Sequence, residues 1–308
     1  MQPQPPITLR RGRVSDLLRA MRPNQWTKNA VVAAAFFFAL GDRAQGVDVV
    51  PAAGLTVLAV LAFCLVSSGV YVMNDLRDRE ADRRHPEKRD RPIASGLVSP
   101  PQAVGLCVAS LGAGGALAWL VGRPFAVTAA TYVMLQVAYT LWLKRVALLD
   151  ILLIAGGFVI RAVAGGVALH VSVSPWLLLC AFLLALFLGV CKRRHEREGI
   201  EGGRAAQRDV LERYNLLVLD QLSAVTASST IVAYAMYTLS PATADKFHTH
   251  WMGLTIPYVI FGIFRYLDLV YRHRQGDRPE RIVLTDAPTL VNLALFGMTV
   301  LAIFALAG

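Results

Sequence analysis

Residues 52–82 read AAGLTVLAVLAFCLVSSGVYVMNDLRDREAD, a long apolar run followed directly by a charged one. About 20 apolar residues are enough to cross a bilayer as a helix, so the charged run is predicted to lie where a membrane span meets water. Its Asp75, Asp78 and Asp82 are spaced i, i+3, i+7, which places three carboxylates on one face of a helix. Clustered carboxylates repel one another unless a cation shares the site, and Mg²⁺ prefers such oxygen ligands and commonly brings phosphate oxygens with it. With the lysines and arginines of residues 77–91 beside them, they indicate chemistry on a phosphorylated, lipid-linked substrate.

The composition is that of an integral membrane protein. Of the 308 residues 55% are hydrophobic, and the mean hydropathy is +0.49, which excludes an ordinary soluble domain. Only 17% of the residues are charged, yet the net charge is +10, so the positive charge must be concentrated in the loops. Membrane lipids are expected as partners, and nucleic acid is not.

Nine apolar segments recur along the chain, each near the length that crosses a bilayer. They lie at 27–42, 52–73, 103–121, 124–143, 147–170, 175–191, 216–239, 251–271 and 287–307. The predicted fold class is therefore all-α and polytopic, with nine transmembrane helices and a single domain over 1–308.

The lysines and arginines predict the orientation in the membrane. They gather in alternate connections, including the two longest, 74–102 and 192–215, whereas the opposite side carries only Arg43, Arg123 and Lys246. By the positive-inside rule the N-terminus and both long loops are cytoplasmic and the C-terminus is extracytoplasmic. An active site built on those loops would face the cytoplasm, from the inner membrane.

The motif NDxxDxxxD at residues 74–82, after the second of nine spans and followed by HPEKRDRPIASG at 85–96, resembles the UbiA superfamily of intramembrane prenyltransferases. The resemblance implies a UbiA-like helical bundle with a cytoplasm-facing active site. It also implies that Asn74, Asp75, Asp78 and Asp82 bind Mg²⁺ and that the three aspartates are the catalytic residues.

The second long loop departs from the commonest pattern of that superfamily. Typical aromatic prenyltransferases carry a second aspartate-rich motif there, whereas residues 192–198 of this chain read KRRHERE. That basic start, the segment MRPNQWTKN at 21–29, the pair Tyr139 and Lys144, and Arg265-Tyr266 are similar to one branch of the superfamily. Members of that branch join a polyprenyl (decaprenyl) phosphate to 5-phosphoribosyl 1-diphosphate. Three phosphate-bearing groups require more arginine and lysine than one diphosphate does.

That branch implies a set of substrate-binding side chains, most of them cationic. The predicted set is Lys28, Asn74, Lys88, Arg89, Arg91, Tyr139, Lys144, Arg161, Lys192, Arg193, Glu196 and Arg265. Which cation holds which phosphate stays open. For any one of the cations the alternative is that it only fixes topology, and Tyr139 is equally well explained as an interfacial aromatic residue.

Arg161 is an unusual residue because it lies in the middle of a span. A lipid-facing arginine there costs several kcal/mol, so it is expected to face a polar cavity or an anion. Asp150 lies eleven residues earlier, about 16 Å along a helix, and is therefore not its local partner.

The branch also implies a pathway, in which the product supplies a lipid-linked pentose donor for envelope glycan (arabinogalactan) synthesis. Two other functions remain alternatives. One is transfer of a prenyl group to an aromatic acceptor by the same fold, and the other is anion transport. Whether the chain forms a homo-oligomer is left open.

Overall fold

A computed structural model of the chain describes residues 14–41, 48–86, 88–201, 211, 213–272, 282 and 285–307. In this part of the chain every regular element is a helix, which confirms the all-α prediction. The α-helices are α1 Val14–Ala20, α2 Ala30–Gly41, α3 Val49–Arg77, α4 Arg79–Arg84, α5 Pro100–Val121, α6 Arg123–Leu141, α7 Leu149–Leu169, α8 Pro175–Glu201, α9 Leu216–Leu239, α10 Pro241–Phe247, α11 Ile256–Tyr271 and α12 Ala287–Ala307. Three short 3₁₀ helices, at Pro23–Asn29, Leu143–Arg145 and Trp251–Thr255, complete the order.

Eight of the nine predicted membrane spans are confirmed as helices that are long and apolar enough to cross a bilayer. The first predicted span, 27–42, is not one of them among the described residues. It begins inside the 3₁₀ helix Pro23–Asn29 and continues as α2, which has only 12 residues. A helix of that length reaches about 18 Å, well short of the roughly 30 Å hydrocarbon layer.

The chain divides into two compact units, and helix α3 contributes to both. The first unit comprises Met1–Ala30 and Val57–Val137. Its core includes Phe63, whose ring packs against the rings of Phe125 and Tyr132 at centroid distances of 5.7 and 5.4 Å. Close helix contact also occurs at Gly114, where an added Cβ would lie 2.9 Å from the backbone nitrogen of Val66.

The second unit comprises Val31–Thr56 and Ala138–Gly308. Helices α7, α8 and α9 pack on one another in sequence order. The contact between α2 and α7 depends on Gly165, because an added Cβ would lie 2.1 Å from the carbonyl oxygen of Val32. The prediction of one domain over 1–308 stays a prediction.

The helix that carries the first acidic motif bends at Asp78. Helix α3 ends at Arg77 and α4 begins at Arg79, with Asp78 between them at φ −88°, ψ 7°. Helical hydrogen bonds nevertheless continue through the bend, from the Asp78 N–H to the Asn74 oxygen (2.9 Å) and from the Asp82 N–H to the Asp78 oxygen (2.8 Å). The bend therefore preserves the periodicity that puts the three aspartates on one face.

Candidate active site

The first unit holds a cluster of two carboxylates and two guanidinium groups, here called the Asp75 cluster: Arg22, Asp75, Asp82 and Arg91. Both carboxylates are buried, with side-chain exposures of 4% for Asp75 and 7% for Asp82. The arginines are more accessible, at 25% for Arg22 and 29% for Arg91. The negative charges thus lie inside the protein, and the positive charges lie between them and water.

Arg22 is held in place by the segment that follows helix α1. Its backbone is left-handed, at φ 55° and ψ 60°, and the proline that follows it disfavours the right-handed helical region. Ser68 of α3 anchors this segment, since its hydroxyl donates to the Met21 carbonyl (2.9 Å) and accepts from Trp26 Nε1 (3.0 Å). The guanidinium therefore meets Asp75 from a fixed backbone.

Arg91 reaches the carboxylates from the turn after α4. Arg83 of α4 donates from Nε to the Ala94 carbonyl (2.9 Å), which ties the helix to the turn. Ile93 and Ala94 are buried beneath it. The turn is thereby fixed at both ends, and Arg91 points back at α3 and α4.

The cluster has three hydrogen-bonded contacts around Asp75. Arg22 Nε donates to Asp75 Oδ2 (3.0 Å), and Arg22 Nη2 makes a short contact with Oδ1. Arg91 Nη1 lies between the two acids, 3.2 Å from Asp75 Oδ1 and 2.7 Å from Asp82 Oδ2. Two carboxylates of the predicted set therefore converge on one cationic nitrogen.

This convergence fits a hard divalent cation, because Mg²⁺ takes carboxylate oxygens as ligands. Asp78, the third predicted aspartate, is half-buried at the bend, and its part in a metal site stays a prediction. In the described part of the chain, no three His, Cys, Asp or Glu side chains come together as a ready metal site. Asn74 and Lys88 are half-buried and Arg89 is exposed, and their predicted roles stay predictions.

The second unit holds another charged group, here called the Arg193 cluster: Asp150, Arg193, Glu196 and Tyr214. Arg193 Nε donates to Asp150 Oδ2 (2.8 Å), and Nη1 makes a short contact with Glu196 Oε2. The Tyr214 hydroxyl donates to Asp150 Oδ1 (2.5 Å) and accepts from the Leu148 N–H (2.7 Å). The side-chain exposures of Asp150, Arg193 and Glu196 are 0, 2 and 5%, so both carboxylates meet the arginine away from water.

The burial of the Arg193 cluster makes the substrate contacts predicted for Arg193 and Glu196 less favourable. A buried cation whose donors already face carboxylates is better suited to positioning helices α7 and α8 than to touching a phosphate. Burial raises the pKa of Tyr214, and its hydrogen bond to Asp150 raises it further. The hydroxyl therefore stays protonated and holds the strained backbone of Leu148, at φ 68°.

The remaining predicted residues of the second unit lie in separate surroundings. Arg161 is buried in α7, donates from Nη1 to the Gly157 carbonyl (3.0 Å) and lies 5.4 Å from the Phe158 ring centroid. Arg265 pairs with Asp286 and Asp268. Tyr139, Lys144 and Lys192 are half-buried, as is Lys28 in the first unit. None of these placements tests a substrate contact.

Three residues of the two clusters were missed at the sequence level: Arg22, Asp150 and Tyr214. Arg22 lies in the quoted segment 21–29, from which only Lys28 was predicted as a substrate contact. Asp150 was considered only as a partner of Arg161. A single acid inside an apolar segment is costly unless it is paired, and that signal could have singled out Asp150.

With these sites described, comparison with known proteins identifies the family. Residues 30–285 match the model of the UbiA prenyltransferase family. The chain belongs to the UbiA prenyltransferase family. It is therefore a multi-pass membrane transferase, and the predicted resemblance is confirmed.

Three relatives carry the same protein name, decaprenyl-phosphate phosphoribosyltransferase. The one from Mycolicibacterium smegmatis is 37% identical over 89% of this chain and 87% of its own length. Those from Mycobacterium tuberculosis and Corynebacterium glutamicum are 36% and 33% identical, each over 92% of this chain and over 91% and 83% of their own lengths. The similarity spans nearly the whole UbiA fold.

Solved structures of the UbiA family share this fold. A UbiA homolog from Archaeoglobus fulgidus bound to DMAPP and Mg²⁺ gives a TM-score of 0.68 at 19% identity, over 94% of this chain and 99% of that one. The same homolog bound to GPP and Mg²⁺ gives 0.67 at 20% identity, over 95% of this chain and 98% of that one. At this identity the likeness shows the fold alone.

Proposed function

We propose that this UbiA-family protein transfers a 5-phosphoribosyl group from 5-phosphoribosyl 1-diphosphate to a polyprenyl phosphate, with release of diphosphate. The observation that carries the proposal is the similarity to three proteins named for this reaction over about nine-tenths of the chain. The Asp75 cluster supports it chemically, because paired carboxylates and guanidinium groups suit a metal bound to a polyanion.

The proposed reaction is a substitution at C1 of the ribose. The bond from C1 to the diphosphate oxygen breaks, with its electron pair leaving on diphosphate. An oxygen of the lipid phosphate forms the new bond to C1 from the opposite face. This nucleophile is already anionic, so no side chain has to remove a proton from it.

The residues of the first unit bind and orient the donor in this proposal. Asp75, Asp78 and Asp82 hold Mg²⁺, and Asn74 orients the same site. When bound, the metal neutralises the charge that builds on the departing diphosphate. Lys88, Arg89 and Arg91 donate to the donor phosphates, and fixed donors of this kind stabilise developing negative charge.

The lipid phosphate and the 5-phosphate need cations of their own. Lys28, Lys144, Lys192 and Arg265 are proposed for these contacts, with Tyr139 as a neutral donor. Arg161 is proposed to act near the substrate from inside α7. Arg193 is proposed to position α8 against α7 through Asp150, and Glu196 to hold the Arg193 side chain within α8.

The proposal places the reaction at the cytoplasmic face of the inner membrane. The lysines and arginines of loops 74–102 and 192–215 favour that side. The extracytoplasmic C-terminus requires all nine predicted crossings, of which the described residues supply eight. The product would serve as precursor of a lipid-linked pentose donor for envelope glycan synthesis.

The test is an assay with the purified protein, Mg²⁺, decaprenyl phosphate and phosphoribosyl diphosphate labelled in the ribose. Label in the lipid phase supports the proposal, and EDTA should abolish it. Label that stays in water, together with prenyl transfer from a prenyl diphosphate to an aromatic acid, would replace the proposal with the alternative prenyltransferase function.

A further inference from the structure

The two arginines of the Asp75 cluster occupy the carboxylate oxygens that a metal would use. Asp75 Oδ2 accepts from Arg22 Nε, and Asp75 Oδ1 accepts from both guanidinium groups. Arg91 Nη1 alone bridges Asp75 and Asp82. A cation that binds these two acids together must take the place of that nitrogen.

The burial of the four side chains shows which of them can move. The carboxylates are 4% and 7% exposed and belong to helices α3 and α4. The guanidinium groups are 25% and 29% exposed and stand at the ends of long flexible side chains. Rotation of Arg22 and Arg91 into water therefore requires no change in the helices.

The charges of the cluster decide what can bind there. Two carboxylates and two guanidinium groups sum to zero. A divalent cation alone would leave two arginines without partners and a net charge of +2 in a half-buried site, which is unfavourable. A divalent cation that arrives with a diphosphate removes this excess of positive charge, and the displaced arginines find new anionic partners on the phosphates.

We propose that Arg22 and Arg91 are exchangeable counter-ions: they neutralise Asp75 and Asp82 in the empty site and move to phosphate oxygens when a metal–diphosphate complex binds. The site then selects the metal–diphosphate complex over the bare metal ion. This rests on the proposed function only in that Asp75 and Asp82 hold the metal. It gives Arg22 a role in substrate selection.

Arg91→Gln and Arg22→Gln test the exchange by two binding measurements on the purified full-length protein. The first is the affinity for Mn²⁺ alone, from the electron paramagnetic resonance signal of free Mn²⁺. The second is the affinity for radiolabelled inorganic pyrophosphate in excess Mg²⁺. Each variant should bind Mn²⁺ about tenfold more tightly and pyrophosphate about tenfold more weakly than the natural chain, since one competing cation and one phosphate contact are lost together.

The opposite directions distinguish exchange from a structural ion pair, whose loss would weaken both affinities or neither. Arg84→Gln is the matched control, because it removes the same charge from an exposed arginine of α4, whose Nε donates to the Glu80 carbonyl (3.3 Å). Its two affinities should stay close to those of the natural chain.

Several results would overturn the exchange. Unchanged or weaker Mn²⁺ binding in both arginine variants would do so, as would failure of both to fold, because the pairs would then be structural. Asp75→Asn tests separately whether Asp75 holds the metal. If Mn²⁺ binding survives that change, the metal binds elsewhere. If the phosphoribosyl-transfer assay is negative but the affinities for Mn²⁺ and pyrophosphate shift in the predicted opposite directions, the proposed reaction is rejected and the arginine exchange is supported.

Discussion

The Asp75 cluster and the Arg193 cluster both join two carboxylates to arginine, but they differ in the exposure of the arginine. In the first, buried carboxylates meet arginines that reach water. In the second, the arginine is buried as deeply as its two carboxylates. The exposure of the cation therefore separates the two clusters: the arginines of the first have a path into water, as the proposed exchange requires, whereas Arg193 has none and contacts Asp150 of α7.

The sharpest contrast between the clusters is expected from Asp75→Asn. It should lower the proposed transferase activity by about a thousandfold or more, roughly 4 kcal/mol of transition-state stabilisation, while the protein stays folded. The reason is that the metal loses a charged ligand and the helix is unchanged. Initial rates and the thermal midpoint in detergent are the measurements.

Asp90→Asn is the matched control for that change, because Asp90 is an exposed acid in the same loop. It should leave both rate and midpoint nearly unchanged. A folded Asp75→Asn variant with near-normal activity would remove the metal-site interpretation.

The Arg193 cluster should respond to Asp150→Ala by losing stability. The change removes the carboxylate of α7 that accepts from both Arg193 and Tyr214 and leaves Glu196 as the carboxylate partner of a guanidinium that is 2% exposed. Breaking a buried pair costs about 3–5 kcal/mol. We expect activity to fall only as the folded fraction falls. Thermal unfolding and rates normalised to folded protein check this.

Asp220→Ala supplies the comparison for Asp150→Ala. Asp220 also pairs with an arginine, Arg194, at 2.6 Å, but its side chain is 38% exposed, so its loss should cost below about 1 kcal/mol. Equal destabilisation by Asp150→Ala and Asp220→Ala would show that burial of the ion pair does not decide its contribution to stability.

Tyr214→Phe should weaken the Arg193 cluster by about 1–2 kcal/mol, because a buried carboxylate loses a donor and the Leu148 N–H loses its acceptor. The effect should depend on pH. The pKa of Tyr214 is raised above its unfolded value of about 10. The stabilisation that its hydroxyl contributes is therefore complete below about pH 10 and is lost as the pH rises through the folded pKa.

Unfolding midpoints at neutral pH and above pH 10 test the Tyr214 contribution. The natural chain should lose more stability between the two conditions than Tyr214→Phe does. Parallel losses in both proteins would show that the hydroxyl does not carry the alkaline sensitivity.

The smallest effect is expected from the half-buried pair Arg265 and Asp286. Hydrogen bonds from Arg265, and then from Thr289, lower the pKa of Asp286 below its usual range. Its stabilising contribution is therefore present above about pH 4 and is lost as the pH falls through the depressed value. Asp286→Asn should flatten the acid side of the stability curve slightly, and an unchanged curve would show that the pair contributes nothing.

The sequence predicted the first cluster better than the second. Asp75, Asp82 and Arg91 were all found from one local motif, whereas the second loop was interpreted as a set of phosphate-binding cations from Lys192 onward. In the structure Arg193 lies buried between two acids, and its predicted phosphate contact stays a prediction. The local basic run offered no sign of the pair with Asp150, because that residue lies 43 residues away.

The short helix α2 shows that sequence patterns have the same limit in predicting the fold. Apolar composition over 27–42 predicted a span, but the polar residues before it form a 3₁₀ helix and α2 has only 12 residues. Asn29 is buried there and donates to Ser67 of α3 (3.2 Å). Hydropathy does not anticipate a buried polar contact of this kind.

The sequence by itself determined the helical class, eight of the spans and the spacing of the aspartates. All of these depend on local periodicity and hydropathy, which act over one helix at a time. The tertiary structure decided which arginine meets which acid: Arg22 and Asp75 are 53 residues apart, and Tyr214 and Asp150 are 64 apart. Many arginines in this chain are equivalent as charges, so only the packing of the helices selects the pair and sets the exposure that divides an open site from a closed one.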